Sequence, residues 1–506
     1  MKHIAAIALS FVLAPLLSGA EPSLILTGGR IFTGDTAYPS AEALAIEGNR
    51  IVAVGTNDEI RAKAGKTTRV IDVKGKFVIP GFNDAHTHFG WSGESFLASR
   101  DFRASWDAVR AAITAAADET PADMWISAYV GQSVVLDPNF TNEALDKAAP
   151  GRKVAVSSLG SHSMTLSSAA MAALGVAPDA KDPVGGWFGR DAAGKVNGHA
   201  YEYALWPITR KLAGLGTDDE IVESIRTYST AAVRLGVTSV QNMSFVPDDR
   251  FVAALKKANV PLRVRAIVFP SSIDDPISKR PGAGLKWILD GSPIERTAGF
   301  RTAAYPDGTK GRENFSDVTP LIRKAIDSKQ QLLVHVLGDK AAESALRAIA
   351  KTSLQRPRLE HVHNLPSDLL PLAKQTGVIA VINPWHTSFR EYYPKEGEYL
   401  TAASIASAGI PIAIGSDGIP SPFVNFQWAI DRKDESERLS REDALRAYTS
   451  GSAFAELKEK EKGKIAPGML ADIAVLSQNI LEVPANTLPS TRSVLTIIDG
   501  KIVHDE

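Results

Sequence analysis

The chain contains no cysteine among its 506 residues. Disulfides are therefore excluded as a source of stability, and any zinc would have to be held by nitrogen and oxygen ligands. An excess of charge of one sign is missing too: 56 Lys+Arg stand against 57 Asp+Glu, a net charge of −1. Without a single-sign field the sequence does not read as a binder of nucleic acid or of an anionic membrane surface, and a small-molecule partner is the expectation. No segment beyond the first twenty residues approaches the apolar length needed to cross a bilayer. Internal repeats and low-complexity tracts do not stand out either.

What is present begins with "MKHIAAIALSFVLAPLLSGA", which carries an early lysine, an apolar stretch from Ile4 to Leu17 and a small-residue ending. That layout predicts a cleaved secretory signal over residues 1–20 and a periplasmic or secreted mature protein with no membrane attachment. A retained anchor is the alternative, for which the apolar stretch is short.

At roughly 150 residues per domain the length suits one large unit plus a smaller one. Short alternating strands with turn residues between them, "SLILTGGRIFTG" and "ALAIEGNRIVAVG", are matched at the far end by "GMLADIAVLS" and "VLTIIDGKIVHDE". This texture predicts a small β-sandwich built from residues 21–75 and 465–506. Between them, eight strand-like runs alternate with amphipathic stretches such as "VTPLIRKAIDSK" and "AAESALRAIAK". The runs are "GKFVIPGFNDAHTH", "GVTSVQNM", "LRVRAIVF", "GLKWILDG", "QLLVHVLGD", "PRLEHVH", "GVIAVINP" and "PIAIGSDG". The expected fold class is α/β: a (β/α)8 TIM barrel over residues 76–464, with its site at the carboxyl ends of the strands. An insertion at about 100–215 carries further strand-like pieces, "MWISAYVGQ" and "KVAVSSLG".

The polar residues sit at those strand ends. His86 and His88 flank Thr87, so period-two alternation puts both imidazoles on one face, an arrangement suited to a divalent metal when they are neutral. His335, His361 and Asp417 each end a separate predicted strand. Alternation in "GLKWILDGS" places Lys286 and Asp290 on a common face.

These segments, together with "LKWILDGSPIERTA", "AAYPDG", "INPWH", "AYTSGSAFA" and "GKIAPGMLADIAVL", closely resemble the amidohydrolase superfamily of metal-dependent hydrolases. Within it the chain is most similar to the YtcJ-like amidohydrolases, the branch that includes N-substituted formamide deformylases. The resemblance implies that His86 and His88 bind the more buried metal. It makes His335 and His361 ligands of a second metal, or of the opposite side of a single site. Asp417 would touch the metal and act as the acid/base group. Lys286 matches a lysine that relatives can carboxylate to a metal-bridging carbamate; an unmodified lysine paired with Asp290 or another acid is the other reading. The implied cofactor is one or two zinc ions, and dimers are common among relatives.

The resemblance also makes His162 and His386 candidate substrate contacts, His363 a partner of the ligands, and Glu202 a match to a recurring glutamate of unclear role. Trp385, an aromatic residue in a predicted loop, is a further candidate substrate contact lining an apolar pocket, and His199 reads as a loop residue. The expected function is hydrolysis of a C–N, amide-type bond in a small N-acyl or N-formyl substrate. The rivals are an ester, lactone or carbamate hydrolase on the same site, and a non-catalytic periplasmic binding protein.

Overall fold

The computed structural model describes residues 21–91, 95–399, 401–418 and 421–506, so the segment read as a secretory signal lies outside it. The α/β architecture is organised by two parallel sheets. β1 (Phe82–Thr87), β2 (Val237–Asn242) and β3 (Arg263–Ala266) form one, in the order β3-β2-β1. β4 (Leu285–Ile288), β5 (Leu332–Val336), β6 (Arg358–His361), β7 (Ile379–Ile382) and β8 (Ile412–Ile414) form the other, paired in chain order. A parallel bridge between Val268 and Leu285 joins the end of the first sheet to β4. Beyond β8, the Asp417 N–H donates to the His86 carbonyl at 2.9 Å and brings the chain back to β1.

Every residue of β1, β2, β4, β5, β6 and β7 is buried. Strands covered on both faces need near-continuous apolar runs, which is why these were legible without alternation. Amphipathic helices do the covering. Between β4 and β5, Thr319–Asp327 buries Leu321, Ile322 and Ala325; between β5 and β6, Asp339–Ile349 buries Ala341, Ala342, Ala345, Leu346 and Ile349. The three-and-four spacing puts each set on one stripe, and each large aliphatic side chain so buried contributes about 1.5–3 kcal/mol.

Strands from both ends of the chain share a six-stranded sheet, in the order Lys501–Asp505, Ser493–Ile498, Ile473–Leu476, Phe77–Pro80, Arg30–Phe32, Ser40–Ala41. A four-stranded sheet faces it, and Leu24, Leu44, Ile46 and Ile51 of that sheet meet Ile31, Val78, Ile473, Val475 and Leu495 in one core. The run "GKFVIPGFNDAHTH", read as a single strand, is therefore two. Phe77–Pro80 pairs with Ile473–Leu476 in the terminal sheet, and β1 begins after Gly81. A β-carbon at Gly81 would lie 2.2 Å from the Thr238 methyl, so only glycine lets the chain cross from one sheet to the other here.

Between β1 and β2 the chain builds a six-stranded mixed sheet, in which "MWISAYVGQ" and "KVAVSSLG" supply the parallel pair Trp125–Val130 and Val154–Ser158. Among the described residues, no helix is long and apolar enough to cross a membrane.

Candidate metal centre

The end of β1 and the turn after β8 bring His86, His88 and Asp417 together. The far nitrogen of each imidazole is already engaged. His86 Nδ1 donates to Glu360 Oε2 at 2.5 Å, and His88 Nδ1 donates to the Met243 carbonyl at 2.7 Å. Both Nε2 atoms therefore present lone pairs, yet they stand only 3.3 Å apart. Asp417 Oδ1, another acceptor, lies 3.4 Å from His88 Nε2 and 3.7 Å from His86 Nε2.

The position of Asp417 depends on backbone geometry. It adopts φ 38°, in the left-handed region, and the preceding turn runs tightly over β1. At Gly415 a β-carbon would be 2.4 Å from His86 Cβ and 2.6 Å from its amide nitrogen. Asp84 Oδ1 ties the same two segments by accepting from the His86 amide at 3.1 Å and the Ser416 amide at 2.8 Å.

His361 joins the cluster by breaking the alternation of its own strand. A regular strand would turn Glu360 and His361 to opposite faces, but φ values of 70° at His361 and 49° at Val362 rotate the ring back. Its centroid lies 4.7 Å from that of His86 and 4.5 Å from that of His335. Asn383 commits its amide to the Gly415 carbonyl at 2.9 Å, so its oxygen accepts from His361 Nδ1 at 2.8 Å and leaves His361 Nε2 bare. His335 turns Nε2 towards the Gly291 carbonyl at 3.4 Å and Asp290 Oδ1 at 3.7 Å.

Lys286 is buried among these groups and, among the described residues, has neither a hydrogen bond nor an ion pair. Asp290 is not its partner: that carboxylate accepts the backbone N–H groups of Gly299, Leu337 and Gly338 at 2.8–3.0 Å. Burial pushes Lys286 down to about 8, against the pull of Glu360 and Asp417.

Burial, reinforced by Lys286, brings His86 down to about 4, and burial holds His335 and His361 well below the ordinary imidazole value. Neutral rings are what a cation requires. Burial works against charge on Asp417, but the surrounding imidazoles of His86, His88 and His361 prevail and hold its carboxyl well below the usual range. Three lone-pair atoms thus converge with no proton between them. Ligands on a tetrahedral zinc at 2.0–2.1 Å stand about 3.3 Å from one another, so the donor set fits a divalent cation in both chemistry and spacing.

The remaining candidates lie around this centre. His162, from the insertion, stacks obliquely on His335 with centroids 4.5 Å apart, and its Nδ1 donates to Glu202 Oε1 at 2.9 Å. Trp385 donates Nε1–H to the Ser416 carbonyl at 2.5 Å, and His386 Nε2 lies 3.6 Å from Asp417 Oδ2. His199 lies on the strand Val196–Glu202 and bonds Thr165 and the Phe140 carbonyl, away from the cluster.

Sequence reasoning passed over Glu360, Arg358, Asn383 and Tyr393. Arg358 and Glu360 alternate on β6, and two buried charges two residues apart were the available signal; nothing local marked Asn383 or Tyr393.

Parallel strands whose carboxyl ends gather imidazoles and a carboxylate around a cation position define a metal-dependent hydrolase. Residues 69–504 match the amidohydrolase family, and the chain belongs to it. It is 28% identical over 525 residues to YtcJ of Bacillus subtilis (strain 168), across 95% of this chain and 99% of that protein. It is 25% identical over 538 residues to the N-substituted formamide deformylase of Arthrobacter pascens, across 95% and 98% of the two. The solved structure of a metal-dependent hydrolase of Pyrococcus horikoshii shares the fold, with a TM-score of 0.70 at 22% identity over 92% of this chain and 99% of that one.

Proposed function

We propose that the protein hydrolyses a C–N, amide-type bond in a small N-acyl or N-formyl substrate. It would use zinc, as one or two ions, with His86, His88 and Asp417 as the inner ligands and His335 and His361 on the far side. The observation that carries this reading is the convergence of two bare imidazole nitrogens and a carboxylate oxygen within 3.3–3.7 Å. A cation held there lowers the pKa of a bound water and polarises a substrate carbonyl. Asp417, whose side chain is 19% exposed, would accept the proton of the attacking water and return it to the leaving nitrogen. His162, whose Nδ1 proton is committed to Glu202, faces the site across His335 and is available to the substrate.

Lys286, buried and without a partner among the described residues, is suited to adding CO2 as the neutral amine, losing a proton and becoming a carbamate, which would supply oxygen ligands to the metal. The Arthrobacter pascens relative, by its name a deformylase of N-substituted formamides, supports the choice of bond. We read the eight parallel strands as a (β/α)8 barrel, supported by the Val268–Leu285 bridge and the Asp417–His86 hydrogen bond across its seams. Residues 21–75 and 465–506, joined by Phe77–Pro80, make its β-sandwich companion, about 100–215 an insertion over the site, and residues 1–20 an export signal.

Metal analysis of the purified protein with a matched panel of amides, esters and lactones tests the reading. Bound zinc, turnover of amides in preference to esters, and loss of turnover in Asp417→Ala are expected. Amide hydrolysis that survives both chelation and Asp417→Ala would refute it.

A further inference from the structure

The segment after β7 reaches across to the turn that carries Asp417. Trp385 grips Ser416 by the hydrogen bond described above, and a β-carbon on Gly418 would come within 3.0 Å of the Trp385 ring. His386 faces Asp417 itself, with Nε2 3.6 Å from the carboxylate oxygen Oδ2. Behind His386 lies a line of buried groups. His386 Nδ1 and His363 Nε2 are 3.0 Å apart, and His363 Nδ1 meets the Tyr393 hydroxyl. Tyr393 is packed against Phe300, Tyr305 and Tyr399.

The direction of this line follows from its ends. A carboxylate only accepts, and Nε2 is the ring nitrogen that faces the Asp417 carboxylate, so His386 carries its proton on Nε2 and accepts at Nδ1. His363 must then donate from Nε2 and accept at Nδ1, which obliges the Tyr393 hydroxyl to donate. We propose that Tyr393, His363 and His386 form a one-way hydrogen-bonded brace which, with Trp385, holds Asp417 in its left-handed backbone conformation. All four are positioning residues. A non-glycine residue at such a φ is kept there by its surroundings, and a displaced acid/base group loses rate rather than affinity. This inference rests on the reading of Asp417 as the acid/base group.

Ring 15N–1H correlation spectra of the zinc-loaded enzyme, recorded without substrate, test the brace independently of that reading. His386 is expected as the Nε2–H tautomer, and Tyr393→Phe, which deletes the terminal donor, should mix its tautomers. On whichever amide is turned over, Tyr393→Phe should lower kcat about tenfold and His386→Ala about a hundredfold, with KM and zinc content unchanged. His363→Gln, whose amide can both accept and donate, should retain most of the rate. The double variant Tyr393→Phe/His386→Ala should be no slower than His386→Ala. An Nδ1–H tautomer at His386, additive losses, a rise in KM alone, or loss of a metal equivalent from His363→Gln would each overturn the brace. Failure of the hydrolase reading would instead appear as absent turnover beside an intact tautomer spectrum.

Discussion

Glu360 takes the Nδ1 proton of His86 at 2.5 Å while Arg358 spans the same carboxylate, with Nε at 2.7 Å and a terminal nitrogen at 2.9 Å. Both charged residues are fully buried. Burial alone would raise Glu360, yet Arg358, His86 and Lys286 outweigh it and hold it at about 2. The ionised glutamate fixes the His86 tautomer that leaves Nε2 bare.

Glu360→Gln should therefore keep the fold but weaken zinc binding by about 10- to 100-fold, read by chelator competition. Glu360→Ala, which strands the Arg358 charge in the interior, should also cost about 3–5 kcal/mol in denaturant unfolding. Unchanged zinc affinity in Glu360→Gln would show that His86 needs no such partner.

Removing the metal leaves the lone pairs of His86, His88 and Asp417 facing one another. Chelation should lower the unfolding temperature and added zinc restore it; at a thousandfold excess over Kd the ion contributes about 4 kcal/mol. In His88→Ala the response should be strongly reduced.

Lys286 makes stability depend on pH. In the unfolded chain it titrates at its ordinary 10.5, in the fold at about 8, chiefly through burial. Between these values the unfolded state binds more protons, so stability rises with pH across that interval; below about 8 the full cost, about 3 kcal/mol, is present. In CO2-free buffer, denaturant titrations of the metal-free enzyme should show this rise and those of Lys286→Met should not. Bicarbonate with zinc should stabilise the native sequence selectively.

Gly415→Ala places a β-carbon against His86. The chain must shift by several tenths of an ångström, and zinc affinity should fall with little loss of helical circular dichroism. Full zinc binding in this variant would mean the turn can yield without disturbing His86.

The sequence showed the site most clearly where geometry is local. His86 lies on β1 and His88 just beyond its last residue, so the two keep the alternation that puts them on one face, and Asp417 follows an apolar run that reads as a buried strand. Glu360 escaped because strict alternation sends it away from His361, and the two left-handed residues that reunite them leave no compositional mark. That Trp385 and His386 meet Ser416 and Asp417 was hidden because those partners lie on the next strand's turn, and only the assembled fold brings these segments together. The division of "GKFVIPGFNDAHTH" was hidden for a similar reason: the strand that pairs with its first half, Ile473–Leu476, comes from the other end of the chain.

That pairing also governs when the enzyme can come into being. Phe77–Pro80 can pair with Arg30–Phe32 early, but its other neighbour exists only after the ribosome has made Ile473–Leu476, and a single glycine separates it from the strand bearing His86. A nascent or truncated polypeptide lacking its last few dozen residues leaves one edge of Phe77–Pro80 unpaired beside the strand that carries His86, so its hold on zinc should be weaker until synthesis is nearly complete.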